Sequence, residues 1–314
     1  MKKTVFVDGQ HGTTGLKIRE RLLARDDIEL IEIPEHKRKD PRSRQKLINE
    51  ADIVFLCLPD DAARESVAMI TNPSVRVIDG STAHRVAEGW VYGLPELKKG
   101  QRALIKKSRR VSVPGCHATG FVLMLYPLVT QGIIAPDYPV TCHAVAGYSG
   151  GGRAMIAEYE KPDAPEYIKD PRPYALALNH KHVPEMTRYA GLARPPVFAP
   201  TVVNVYAGEI ISVPLVSDCL VKPLDAAAVR EVLAEYYSGD RFVKVMPYPP
   251  DGFLKNGFLT FTDCNNTNDL EIFIFGNKER VLLSARYDNL GKGASGAAVQ
   301  NMNLILGVDE GRGL

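Results

Sequence analysis

The segment Val113-Pro114-Gly115-Cys116-His117-Ala118-Thr119-Gly120 brings one cysteine, through a tight Pro-Gly turn, to the start of an apolar run from Phe121 to Val129. A cysteine so placed is expected at a helix N-terminus. There, unpaired backbone N–H groups and the helix dipole favour thiolate over thiol. A thiolate is a nucleophile, so the segment points to covalent chemistry. Read alone it also suits a buried, inert cysteine, and the rest of the chain has to decide between the two.

A second pattern, Gly9-Gln10-His11-Gly12-Thr13-Thr14-Gly15, joins a predicted strand, Val5–Val7, to a predicted helix, Leu16–Ala24. Glycine is needed where the chain turns sharply and where backbone must approach a pyrophosphate, with the helix N-terminus supplying N–H groups and partial positive charge. The spacing is G-x-x-G-x-x-G rather than G-x-G-x-x-G, so position carries more of the reading than spacing does. Gly9, Gly12, Thr13, Thr14 and Gly15 are the expected dinucleotide contacts, a ligand-free glycine turn being the alternative. The second strand should end at the adenosine ribose, where an acid would bind the 2′-OH of NAD. Instead His36-Lys37-Arg38-Lys39 stands there. Lys37 and Arg38 favour a 2′-phosphate and hence NADP(H); a solvated basic loop is the other reading. Asp79-Gly80-Ser81-Thr82-Ala83-His84-Arg85 follows the fourth strand, at the carboxyl end of the sheet. Ser81 is expected on the cofactor side. Arg85 is a candidate for bidentate phosphate binding, or else an exposed arginine on a plain turn.

Thiolate chemistry with hydride transfer needs an acid/base, donors for a developing oxyanion and cations for any phosphate. His180-Lys181-His182-Val183-Pro184-Glu185 offers two imidazoles and a carboxylate. His182, with Glu185 near enough to orient it, is the better acid/base, although His180 stays open. H-x-H could bind metal, but no third ligand with fitting spacing appears, so no metal is expected. Tyr148-Ser149-Gly150-Gly151-Gly152-Arg153 is a further glycine loop ending in a cation. Ser149, Gly150 and Arg153, with Arg85, His180 and Glu185, are the candidate substrate contacts. Cysteines 57, 142, 219 and 264 are read as core or inert.

The elements that must position these residues change character midway. Up to Cys116, short apolar strands (Val5–Val7, Leu30–Ile33, Ile53–Leu58, Val75–Ile78) alternate with helices (Leu16–Ala24, Asp61–Ile70). That rhythm means a doubly wound, Rossmann-type parallel sheet. Beyond it, Val140–Ala146, Val202–Tyr206, Ile210–Val216, Glu271–Phe275 and Arg280–Ala285 read as strands and Asp225–Tyr237 as a helix. The expectation is an α/β protein with a second, α+β domain on a mostly antiparallel sheet. Residues 1–115, completed by 288–314, are expected to form the NADP-binding domain, and 116–287 the catalytic and dimerisation domain. The segments 162–173, 195–200 and 247–252 are expected loops. The 314 residues carry 45% hydrophobic and 24% charged residues and a net charge of +2. This is an ordinary globular balance that gives no reason to expect nucleic acid or membrane as partner. Five scattered cysteines without a C-x-x-C pair argue against a disulfide framework and for a reducing, cytoplasmic setting.

Taken together, the residues carry a family likeness. The chain resembles the N-acetyl-γ-glutamyl-phosphate reductases of arginine biosynthesis, in their shorter type, over nearly its whole length. The likeness rests on the loop at 9–15, on Tyr92-Gly93-Leu94-Pro95-Glu96-Leu97, and on the segments 114–120, 149–153 and 180–185. It rests above all on the run from Asp288-Asn289-Leu290-Gly291-Lys292-Gly293 to Asn303. In the longer type a different pattern follows the cysteine, and an Ala-Asp-Phe-Arg-type segment stands where this chain has Thr82-Ala83-His84-Arg85. The resemblance implies that Cys116 attacks N-acetylglutamyl 5-phosphate to form a thioester, which NADPH reduces to the 5-semialdehyde with His182 as acid/base. It implies that Asn289, Gly291 and Gly293 line the nicotinamide side, that the tail returns to the dinucleotide domain, and that the chain is a homo-oligomer, dimer or tetramer. The rival readings are an aspartate-semialdehyde or aminoadipate-type dehydrogenase, a cysteine hydrolase, and a non-catalytic NADP sensor.

Overall fold

The computed structural model describes residues 2–314. In chain order the elements begin β1 (Lys3–Asp8), α1 (Thr13–Leu23), β2 (Ile28–Ile31), α2 (Pro41–Glu50), β3 (Ile53–Leu56), α3 (Asp60–Ala68), β4 (Arg76–Asp79), β5 (Val91–Tyr92), α4 (Gln101–Lys107) and β6 (Arg110–Ser112). They continue with α5 (Cys116–Thr130), β7 (Thr141–Gly147), α6 (Gly152–Tyr159), β8 (Arg172–Pro173), α7 (Val183–Ala190), β9 (Val197–Val203) and β10 (Glu209–Val216). The last are α8 (Ala226–Tyr236), β11 (Val243–Val245), β12 (Leu270–Gly276), β13 (Arg280–Tyr287) and α9 (Gly296–Leu306). The residues before Cys116 form one unit with Ala294–Leu314, and Cys116–Gly293 form another.

The first unit holds a six-stranded sheet in the order β2-β1-β3-β4-β6-β5, every pairing parallel. All four residues of β3 are buried, as a strand covered on both faces requires. Alternation divides the core in two. Val5 and Val7 pack with Ile18 and Leu22 of α1 and Met302 of α9, whereas Phe6 packs with Ile48 of α2 and Ala63 of α3. The polar residues of α9 are buried because each finds a partner. Gln300 Nε2 donates to Glu96 Oε1 (2.7 Å), Asn301 Nδ2 to Gly93 O (2.8 Å) and Asn303 Nδ2 to Arg312 O (2.9 Å). Helix α2 has no counterpart in the sequence reading. Only Arg44 and Ile48 are buried in it, so it lacks an apolar stripe; Asp40 caps it by accepting from Ser43 N at 2.8 Å, with Pro41 at its first position.

The second unit holds a seven-stranded sheet in the order β11-β12-β13-β10-β7-β9-β8. Four of its pairings are antiparallel, but β7–β9 and β11–β12 are parallel, so the sheet is mixed. Strand β9 begins at Val197, inside the segment expected to be a loop; its Pro200 sits beside β8, a strand of only two residues. Helices α5 and α8 pack on one face of this sheet. The other face leaves Val145, Val197, Val216 and Leu282 between 37% and 50% exposed.

The expected return to the first unit at residue 288 comes later, at Ala294. The reason lies in two side chains. Asp288 accepts from Asn266 N and Leu290 N (both 2.8 Å), and Asn289 Oδ1 accepts from Gly208 N (2.9 Å). These bonds tie residues 288–290 to the second unit.

Candidate active site

Cys116 is the first residue of α5 and is partly accessible, while nearly every other position of that helix is buried. The apolar run thus anchors the helix and presents its N-terminal sulfur. Tyr287 fixes the first turn. Its hydroxyl donates to Cys116 O (2.7 Å) and accepts from Gly120 N (3.3 Å), bridging a carbonyl and an N–H four residues apart. Gly120 makes this possible, since a Cβ there would lie 2.6 Å from Tyr287 Cε1. From the other side Gly293 closes on Cys116, where a Cβ would lie 2.9 Å from that of the cysteine.

His117 and His182 lie beside the sulfur, and His180 packs against both rings. The ring of His117 lies 5.2 Å from that of His182 and 5.4 Å from that of His180, and Phe198 packs against both His117 and His180 at 5.2 Å. His182 precedes α7 and is buried, and its N–H donates to His180 Nδ1 (3.1 Å). His117 Nδ1 donates to Glu209 Oε1. With the proton on Nδ1, Nε2 accepts from the Tyr174 hydroxyl at 2.7 Å. Burial, reinforced by Cys116 and Glu209, pushes the Tyr174 phenol well up; burial, with the same two groups, does so for Tyr287. Both phenols therefore stay protonated donors at neutral pH.

His117, Glu209, Tyr174 and Tyr287 were not singled out in the sequence. A signal existed for Glu209, which falls in phase with the inward-facing Ile211, Val213 and Leu215 of β10, a place where an unpaired carboxylate would be costly.

Of the candidate substrate contacts, Ser149 is buried and its Oγ accepts from Asn289 Nδ2 (3.1 Å). Gly150 is exposed, and a Cβ on it would meet that same Asn289 amide at 3.3 Å. Glu185 is buried in the first turn of α7. Arg153 is exposed on α6 and has no ion pair among the described residues. Arg85, by contrast, donates Nε to Val113 O (3.0 Å) and Nη2 to Gly80 O (3.1 Å). It braces the loop before the cysteine, and those two donors are not directed at a ligand.

The glycine loop follows β1 and opens α1 as expected. Gly9 has φ +90°, and a Cβ there would lie 2.3 Å from Cys57 O. At Gly12 the nearest atom would be 3.5 Å away. Gly12 caps α1 without a side-chain bond, which leaves the N–H groups of Thr13, Thr14 and Gly15 uncapped by any side chain. Beside the loop lies a cavity of about 420 Å³ lined in part by Gly9, Gly12, Arg38 and Lys39. These features suit a dinucleotide phosphate chain with cations at one side. Lys37, expected there, lies in the short turn Glu35–Lys37 and does not line the cavity; Lys39 does. Arg44 also lines it and is held by Asp8 (2.9 Å) and Ser66 (2.6 Å). Ser81 donates its hydroxyl to Asp79 (2.7 Å). Asn289 joins Gly208 to Ser149, Gly291 packs on Thr267 O, where a Cβ would lie 2.3 Å away, and Gly293 packs on Cys116.

The remaining cysteines are mostly unreactive by environment. Burial, then Asp79 and Asp8, pushes the Cys57 thiol up; burial, then Glu209, does so for Cys142; burial, then Glu271, takes Cys264 to about 12. Cys219, expected to be core or inert, lies exposed.

Two family models match the chain: the semialdehyde dehydrogenase NAD-binding domain over residues 4–105 and the semialdehyde dehydrogenase dimerisation domain over residues 116–289. The chain is 46% identical to N-acetyl-gamma-glutamyl-phosphate reductase 2 of a Nostoc species, over 100% of this chain and 99% of that protein. It is 50% identical to the reductase of the same name from Pseudomonas putida, over 98% of each. Among solved structures it is similar in fold to aspartate semialdehyde dehydrogenase II of Vibrio cholerae complexed with ASA. There the TM-score is 0.70 at 16% identity, covering 98% of both chains. Aspartate semialdehyde dehydrogenase of Francisella tularensis gives a TM-score of 0.71 at 15% identity, covering 98% of this chain and 100% of that one.

Proposed function

Because the chain belongs to the N-acetyl-gamma-glutamyl-phosphate reductase family of semialdehyde dehydrogenases, we propose that Cys116 is the nucleophile and His182 the acid/base of that family's reaction. The protein reduces N-acetyl-L-glutamyl 5-phosphate to the 5-semialdehyde, with release of phosphate, in arginine biosynthesis. The observation that carries the residue assignment is the placement of an accessible sulfur at the head of α5 against a cluster of buried histidines. Cys116 Sγ attacks the acyl carbon, a C–S bond forms, and phosphate leaves with its electron pair. When bound, the nicotinamide cofactor supplies the hydride that reduces the thioester carbon. Backbone N–H groups at the start of α5 support the oxyanion in both tetrahedral states. His182 holds the proton that the hemithioacetal oxygen and the departing sulfur exchange. Arg153, an unpaired exposed cation beyond the second glycine loop, is the proposed partner of the substrate carboxylate, with Ser149, Gly150, His180 and Glu185 around it.

We assign the cofactor as NADP(H), with Arg38 and Lys39 beside the cavity as partners of a 2′-phosphate. The active form is proposed to be an oligomer built on the open face of the second sheet, in the cytoplasm, where five unbridged cysteines stay reduced. The test is the reverse reaction, N-acetylglutamate 5-semialdehyde with NADP and inorganic phosphate, followed at the absorbance of NADPH. Phosphate-dependent reduction of NADP that disappears in Cys116→Ser is expected. Turnover in that variant within about tenfold of the parent would refute the nucleophile, and turnover of aspartate semialdehyde alone would move the substrate.

A further inference from the structure

The H-x-H spacing of residues 180–182 does not make a metal site, but the fold gathers a different set of ligands that includes His182 and not His180. One ligand atom each of Cys116, His117 and His182 lie within 4.8 Å of one another. Zinc takes thiolate at about 2.3 Å and imidazole at about 2.0 Å, which places tetrahedral ligand atoms roughly 3.4–3.6 Å apart. Side-chain adjustment of about 1 Å closes the trio to that spacing. The surroundings are those of a built site. His117 is buried and hydrogen-bonded through Nδ1 to Glu209, itself fully buried, which is the carboxylate–histidine arrangement that orients a metal-binding imidazole and raises its basicity. The sulfur remains accessible, so an ion has an entry path and a fourth position is left for water.

We propose that Cys116, His117 and His182 form a Zn2+ site through which zinc reversibly blocks the enzyme. Cys116 Sγ–H gives its proton to solvent and an S–Zn bond forms. His117 Nε2 and His182 each donate a lone pair, and water ligands of the ion leave. The Tyr174 hydroxyl, which holds His117 Nε2 in the metal-free protein, turns away. No electron is transferred, and chelation restores the thiol. Binding follows from the ligand geometry alone; the blocking of turnover rests on the proposed role of Cys116.

Cobalt(II) reports the site without any turnover. Added to the reduced full-length protein, it is expected to give a thiolate-to-metal charge-transfer band and the intense visible d–d envelope of a tetrahedral ion. Both should be absent in Cys116→Ser and strongly reduced in His117→Gln and His182→Gln, and zinc should displace them. Glu209→Gln, which keeps all three ligands, is expected to weaken zinc about 10–100-fold. Tyr174→Phe removes a competitor for Nε2 and is expected to bind zinc at least as tightly as the parent. Circular dichroism on each variant separates lost binding from lost fold, and the two histidine variants test the site independently. A cobalt spectrum without a thiolate band, or one unchanged in folded His117→Gln and His182→Gln, overturns the proposal. Metal binding with a metal-free Cys116→Ser enzyme that still turns over would leave the site standing and refute only the nucleophile.

Discussion

Five cysteines with the same side chain differ here in what surrounds them. Cys57, Cys142 and Cys264 are pushed toward the thiol by burial and by neighbouring carboxylates, Cys264 to about 12. At about pH 9 a thiol titrating near that value is ionised in only about one molecule in a thousand. Cys219 is exposed and Cys116 partly accessible, whereas Cys57, though also partly accessible, is held in the thiol form. Brief iodoacetamide treatment of the native protein, read by peptide mass spectrometry, is therefore expected to label Cys116 and Cys219, at neutral pH and again near pH 9. Labelling of Cys57 or Cys264 ahead of Cys219 would contradict these environments. Much of the setting of Cys116 was legible in the sequence, since a Pro-Gly turn, a cysteine and an apolar run leave few arrangements open. Its partners were less so. His117 stood in plain view beside Cys116, but its significance depends on Glu209 and Tyr174, which only the pairing of β10 and the course of the loop before α7 bring to it.

Helix α5 contains Pro127 in its interior, where a missing N–H and a ring clash ordinarily break or kink a helix. The carbonyl left without its helical donor is Leu123 O, and the Tyr237 hydroxyl, just beyond α8, donates to it at 2.7 Å. The same logic operates about two turns earlier, where Tyr287 spans Cys116 O and Gly120 N. Two tyrosines from distant segments thus complete a helix whose own backbone is interrupted. Tyr237→Phe leaves a buried acceptor without its partner and should cost about 1–3 kcal/mol, seen as a lowered thermal midpoint. An unchanged midpoint would mean that α5 does not depend on the bond. Long elements with clear periodicity, such as α1, β10 and β13, match their sequence readings within a few residues. Helix α2 and strands β5, β6 and β11 do not appear there. They are short or polar, and what holds them is a neighbour in the sheet or a cap rather than a pattern of their own.

The two units differ in how completely they cover themselves. The parallel sheet is packed on both sides, but the mixed sheet leaves His143, Val145, Ala199, Pro214 and Leu282 exposed on the face opposite α5 and α8. An apolar face of that kind on a dimerisation-type domain fits a second copy of the chain. Val145→Asp is expected to reduce the mass in light scattering from a multiple of 34.5 kDa to a single chain. A parent protein that is already monomeric, or a variant that assembles as before, would reject that face as the interface. The order of segments along the chain has a different consequence, in time rather than in space. Residues 116–293 are contiguous and can close their sheet as soon as they have left the ribosome. The first unit lacks α9, which fills one side of its core, until Ala294–Leu314 has been made. The part translated first is therefore the part completed last. During synthesis its apolar strands wait half-covered, making the nucleotide-binding unit the stage at which a nascent chain most needs a chaperone.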